Sequence, residues 1–104
     1  MARKIIWSQY AKVQLREIFD YHLAAASEQT ALQLVRNIVA RVDILVEHPQ
    51  AGQREELLAT YPQQFRYLVE GRYKIVYYND ENSAIIASVF DCRQNPAKIH
   101  VLNR

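Results

Sequence analysis

Four cations stand among strand-forming residues between positions 64 and 98: Arg66, Arg72, Lys74 and Arg93 in QFRYLVEGRYKIVYYNDENSAIIASVFDCRQNPAK. Successive side chains of a strand point to opposite faces, so spacing decides which of these can act together. Val69, Glu70 and Gly71 read as a three-residue loop, because only the glycine enters the left-handed region without steric cost. In that register Leu68 opposes Arg72 and Arg66 opposes Lys74. Phe65, Tyr67, Tyr73, Ile75 and Tyr77 then share one face, and Arg66, Arg72, Lys74 and Tyr78 share the other. Two cations set directly across from each other repel, and an anion lying over them would relieve the repulsion. The chemistry of such a face is contact with phosphate, with Tyr78 as a stacking surface and Lys98 extending the basic set into the tail. Taken alone, basic side chains on a strand face are more often a solvated surface that discourages aggregation.

The next turn decides whether Arg93 joins them. Residues 79–82 (NDEN) form a polar turn of four that pairs Tyr78 with Ser83. Ile86, Ser88, Phe90 and Cys92 then fall on the packed face, and Asp91 and Arg93 fall beside Lys74. A loop one residue longer or shorter would flip the last strand and remove Arg93 from the set.

The elements that must position these residues begin with residues 3–7 (RKIIW), a short strand, followed by Ser8 as a helix cap. From Gln9 the period becomes helical, with Ala11, Leu15, Ile18, Phe19, His22 and Leu23 along one face. Ser27 caps a second helix that runs to about residue 47, buries Ala31, Leu34, Val35, Ile38, Val42 and Leu45, and is stopped by His48-Pro49. Residues 55–59 offer a helical turn, and Tyr61-Pro62 leads into the first of three later strands. The order is β-α-α-β-β-β, with a helical hairpin whose apolar stripes cover one side of an antiparallel sheet.

At 104 residues the chain is long enough for one core and too short for two, which makes it a single domain. Half of its residues are hydrophobic and 23% are charged, the balance of a folded soluble protein. A formal charge of +2 is too small to identify a polyanion partner, so clustering must carry that argument. Cys92 is the only cysteine, which excludes an internal disulfide and points to a reducing compartment. No apolar run approaches the roughly 18 residues needed to span a bilayer, and no signal peptide is visible. The expected location is the cytoplasm, without a membrane partner.

The remaining reactive side chains have structural readings. His22 lies on the apolar stripe of the first helix and reads as a satisfied boundary residue. His48 suits the negative end of the second helix. Three histidines and one cysteine show no ligand spacing, so neither a metal nor another cofactor is expected. Cys92 reads as a small buried side chain.

Several stretches together carry a family likeness: the Ile-Trp-Ser opening, Ile18-Phe19-Asp20-Tyr21, the break at His48-Pro49-Gln50-Ala51-Gly52, the strand Gly71-Arg72-Tyr73-Lys74-Ile75-Val76-Tyr77, and the ending Phe90-Asp91-Cys92-Arg93-Gln94-Asn95-Pro96. In that order they resemble the RelE/ParE superfamily, toxins of bacterial type II toxin-antitoxin systems, over nearly the full chain. The resemblance implies an α+β, two-layer fold in which a helical hairpin packs on one face of a four-stranded antiparallel sheet in order 1-4-3-2. It also implies growth inhibition by the free chain and a cognate antitoxin that neutralises it. RelE-like members cut messenger RNA on the ribosome, and ParE-like members poison DNA gyrase.

In the RelE-like chemistry a ribose 2′-OH attacks the adjacent phosphate, which needs a base, cations for the growing charge and a donor to the leaving oxygen. The resemblance places Lys74, Arg93 and Arg66 at cationic positions of that branch. The paired lysines of the earlier strand are not both present, and Ile99 and His100 stand where a tyrosine is expected. His100 could carry the proton. The incomplete set and the Trp7-Ser8 opening favour the ParE-like branch, which requires no catalytic residues. A module that binds RNA through Arg66, Arg72, Lys74, Tyr78, Arg93 and Lys98 without cutting it is the third reading.

Overall fold

Ser8 and Ser27 start the two helices as their positions predict. The Ser8 Oγ accepts from the Ala11 N–H at 3.1 Å and opens α1, Gln9–Ala25. The Ser27 Oγ accepts from the Thr30 N–H at 3.1 Å and opens α2, Glu28–Arg41. The computed structural model describes residues 3–94. Beyond Arg41 the backbone tightens into a 3₁₀ turn, Val42–Val46, where periodicity predicts continued α-helix. Its tighter winding still buries Val42 and Leu45, three residues apart.

The strands are β1 (Lys4–Trp7), β2 (Gln53–Arg54), β3 (Arg66–Glu70), β4 (Tyr73–Asn79) and β5 (Ser83–Asp91). They form one sheet in the order β1-β5-β4-β3-β2. The expected α+β class and the order of the four longer strands hold. Two details differ: β1 runs parallel to β5, so the sheet is mixed, and the two-residue β2 adds a fifth strand against β3. No helix among the described residues is long and apolar enough to cross a membrane.

The hairpin registers differ from expectation, and the difference reassigns both faces. Glu70 pairs with Tyr73, which leaves a two-residue loop of Gly71 and Arg72 with Gly71 at φ 58°. A glycine at positive φ in the first central position is the pattern of a type II′ turn, whose twist matches the flanking strands. Arg66 therefore opposes Tyr77 rather than Lys74, and Lys74 opposes Val69. The expected like-charge pair does not form. In the next hairpin Tyr78 pairs with Ile85, and a bulge at Val76/Tyr77 sets these residues against Ser88 and Ile86, with Ala87 as the extra residue. Phe90 lies across from Lys74, and Asp91 across from Tyr73.

Both faces of the sheet are covered. Ala11, Ile18, Ile38, Val42 and Leu45 pack on Leu68, Tyr73, Ile75, Tyr77, Ala84, Ile86 and Val89. On the opposite side residues 55–65 cross the sheet as a strap. Leu58, from its 3₁₀ turn Glu56–Leu58, packs with Phe65, Val76, Ala87 and Phe90, flanked by Tyr61, Tyr67 and Tyr78. Phe65 and Tyr67, expected beneath the helices, belong to this second core. The face expected to be open and basic is a packed face.

Candidate functional site

Lys74 is largely enclosed by this arrangement. From β4 it points under the strap, where its Nζ lies 2.6 Å from Glu55 Oε2 and 4.3 Å from the centre of the Tyr67 ring. The Lys74 side chain is 20% exposed and that of Glu55 only 3%. Glu55 also accepts from the Leu57 N–H at 3.1 Å and so begins the strap's 3₁₀ turn. The charge of Lys74 is thus answered inside the chain by a carboxylate that solvent does not reach.

Arg66 lies on the other face. Its guanidinium donates to the Gly52 carbonyl at 2.8 Å, the Gln50 carbonyl at 3.5 Å and Gln64 Oε1 at 3.3 Å. These bonds tie β3 to the break after α2. The same break is held by Tyr77, whose hydroxyl donates to the Pro49 carbonyl and accepts from the Gly52 N–H, both at 2.9 Å. Burial pushes the Tyr77 phenol up from its ordinary pKa, against smaller opposing effects of the Gly52 hydrogen bond and the Arg66 charge. Tyr78 is half-buried and meets Phe65 edge to face at 5.4 Å. It serves the second core rather than an open stacking surface.

Arg72 and Arg93 are brought together where α1 passes the ends of β4 and β5. Asp91 accepts from the Arg93 backbone N–H at 2.9 Å and from its guanidinium at 3.2 and 3.4 Å. Arg72 Nε stands 3.6 Å from the same carboxylate. The Tyr21 side chain of α1 faces the Arg93 guanidinium and, after Asp91, helps to raise its pKa. Desolvation raises the Asp91 carboxyl, but the Arg93 hydrogen bonds and the charges of Arg93 and Arg72 outweigh it and hold the group below its ordinary range. Lys74 and Arg93 therefore stand on opposite sides of the sheet, against the expectation that they share a face. The bulge between β4 and β5 causes the separation, because it shifts by one the parity with which β5 faces Lys74.

His22 completes this second cluster. Its Nε2 lies 3.0 Å from the Tyr73 hydroxyl and 3.2 Å from Arg72 Nη2. A guanidinium has no acceptor, so Nε2 carries the lone pair and the ring proton sits on Nδ1. Desolvation lowers the His22 pKa first, the charges of Arg72 and Arg93 lower it further, and Asp91 opposes them. A cleft of about 320 Å³ opens beside this cluster, walled by Gln14, Ile18 and Tyr21 of α1, the Arg72-Tyr73 turn and the end of β5. Among the described residues no three or more histidine, cysteine, aspartate or glutamate side chains converge as a metal site would require.

The sequence matches the profile described as "ParE toxin of type II toxin-antitoxin system, parDE" over residues 5–96. The chain belongs to this toxin family. Its fold is similar to that of a chain in the solved "Chromosomal ParDE TA system from P. aeruginosa", with a TM-score of 0.73 at 19% identity, covering 86% of this chain and 96% of that one. A search of curated proteins finds no match.

Within this ParE-family toxin, the residues that sequence reasoning missed are Glu55 and the α1 wall. Glu55 sits in a strap whose path no periodicity announces. Asp91 and Arg93, two apart at the end of one strand, did signal a shared side. Gln14 and Tyr21 stand seven apart on α1, a helical spacing hidden because neither is apolar in the manner of the core stripe. Cys92, expected to be buried, is exposed, because β5 ends at Asp91 before it. Lys98 and His100 lie outside the described residues.

Proposed function

We propose that this toxin inhibits DNA gyrase without chemistry of its own, and that a cognate antitoxin holds it inactive in the cytoplasm. The carrying observation is the fate of Lys74 and Arg93. Cleavage of RNA by its own 2′-OH needs cations free to meet the phosphate and gathered around one reacting centre. Here Lys74 is neutralised at 2.6 Å by buried Glu55, and Arg93 is bound to Asp91 on the opposite side of the sheet. Arg66 is committed to the carbonyls of the break after α2. The arrangement favours a toxin that acts by contact. The family's description as one half of a toxin-antitoxin pair supports the antitoxin partner.

The test sets two assays on the purified chain side by side: supercoiling of relaxed plasmid by gyrase, and cleavage of messenger RNA on translating ribosomes. Loss of supercoiling or trapping of cleaved DNA, with intact message, is the expected result. Ribosome-dependent cutting that Lys74→Ala or Arg93→Ala abolishes, with gyrase unaffected, would establish the nuclease reading instead. A folded chain inert in both assays and harmless to growing cells would leave the binding-module reading.

A further inference from the structure

Where β1 stops, β5 continues without a strand beside it. β1 pairs with β5 from Lys4 and Ser83 to Trp7 and Ile86, while β5 runs on to Asp91. Over the next stretch α1 supplies side chains in place of a backbone. Ser8 Oγ donates to the Ala87 carbonyl at 3.2 Å, and Gln14 Oε1 accepts from the Val89 N–H at 2.7 Å. The parity of the ladder then fixes what is left. Cys92 N–H donates to the Arg72 carbonyl, so in this antiparallel pair Val89 and Asp91 turn their amides away from β4. The Asp91 carbonyl accepts from the Gln94 N–H at 3.0 Å. The Val89 carbonyl and the Asp91 N–H remain on the outer edge, without a hydrogen-bond partner among the described residues, at the wall of the 320 Å³ cleft.

Those two groups make one half of a parallel bridge. A single residue running parallel to β5 and lying opposite Phe90 would donate its N–H to Val89 and accept from Asp91. We propose that this edge is a docking slot for an extended acidic peptide segment of a protein partner, added to β5 as a short parallel strand in line with β1. The proposal deepens the antitoxin reading and rests on it. Strand addition draws its affinity from such unspent backbone groups and its selectivity from neighbouring side chains. Here the neighbours are two guanidiniums. Arg93 holds Asp91 through its backbone and guanidinium, and Arg72 stands 3.6 Å from the same carboxylate with its Nη2 against His22 and Tyr73. Arg93 is 57% exposed at the end toward which the added segment would run. A carboxylate on one of its next residues meets cations with N–H groups still to give. Glu17, on the α1 wall, disfavours an acidic side chain on that side of the cleft and so orients the segment.

The test uses the full chain, isotope-labelled, titrated with the N-acetylated, C-amidated pentapeptide Val-Glu-Val-Asp-Val and with its counterpart bearing lysine at both charged positions. Expected are a downfield movement of the Asp91 amide proton with the acidic peptide, movements at Val89 and Phe90, and no response to the lysine peptide. Arg72→Glu with Arg93→Glu should weaken the acidic peptide at least about tenfold. An Asp91 amide unmoved at saturation, or shifts confined to other parts of the sheet, would overturn the slot; the wild-type titration needs no variant to fold. Growth arrest by the free chain tests the toxin reading separately. Arrest with an unmoved Asp91 amide rejects the slot alone, and a responsive amide in a harmless chain supports the slot while rejecting the toxin reading.

Discussion

Glu55 and Lys74 form an ion pair 2.6 Å long across the second core, joining the strap to the start of β4. Truncating one member leaves the other charge under the strap without an answer. Glu55→Ala should cost about 3 kcal/mol in urea unfolding, whereas Glu55→Leu combined with Lys74→Met should recover most of the loss. The paired variant also bears on function. A folded Glu55→Leu/Lys74→Met chain should still block supercoiling, and loss of that activity at full stability would give Lys74 a direct role.

Tyr77 and Gly52 hold the break after α2 against the sheet. Tyr77 is fully buried, and its hydroxyl bridges the Pro49 carbonyl and the Gly52 N–H. Tyr77→Phe should cost about 1–2 kcal/mol by leaving the buried Gly52 N–H unsatisfied, while the Pro49 carbonyl keeps its bond from Asn79 Nδ2 at 2.9 Å. A Cβ on Gly52 would lie 2.7 Å from the Tyr67 carbonyl and 2.7 Å from Tyr77 Cε1. Gly52→Ala should therefore cost about 2 kcal/mol through displacement of backbone. A melting temperature unchanged in both variants would show that this anchor contributes nothing.

Gly71 isolates a backbone effect. A Cβ there meets nothing within 4 Å, but φ is +58°. Gly71→Ala should destabilise by about 1 kcal/mol, and Gly71→Asn by less, because asparagine tolerates the left-handed region better. Equal stability of all three chains in denaturant titration would remove the turn as the cause of the register.

His22 makes stability depend on pH in a defined direction. Its folded pKa lies below the ordinary 6.5, so the unfolded chain binds the proton more readily. Its contribution is complete above about 6.5 and is lost as pH falls toward the depressed folded value. Asp91, also depressed, adds a contribution present above its ordinary 3.8 and lost as pH falls through its lower folded value. Urea midpoints from pH 7.5 downward should decline, and His22→Gln should flatten the upper part of that decline. Parallel curves for the two chains would show that His22 does not carry it.

Local chemistry announced much of this molecule. Ser8 and Ser27 cap helices because a hydroxyl before a helical period has free N–H groups to accept from. Ala11, Ile18, Ile38, Val42 and Leu45 are core because their spacing puts them on one side. The candidate site was legible only as residue types. Arg66, Arg72, Lys74 and Arg93 were visible, but their grouping depended on loop lengths of two or three residues and on one bulge. Each of these changes the parity of everything after it.

From the sequence alone came the order of elements, the helical hairpin on a sheet and the family likeness, because these rest on periodicity and caps repeated over many residues. Only the tertiary structure decided that Lys74 meets Glu55 under a strap while Arg93 meets Asp91 beside α1. Pairing across 19 residues of chain, and the face that a strand presents after a bulge, are settled by which packing buries the most apolar surface with every charge answered. No local pattern encodes that choice.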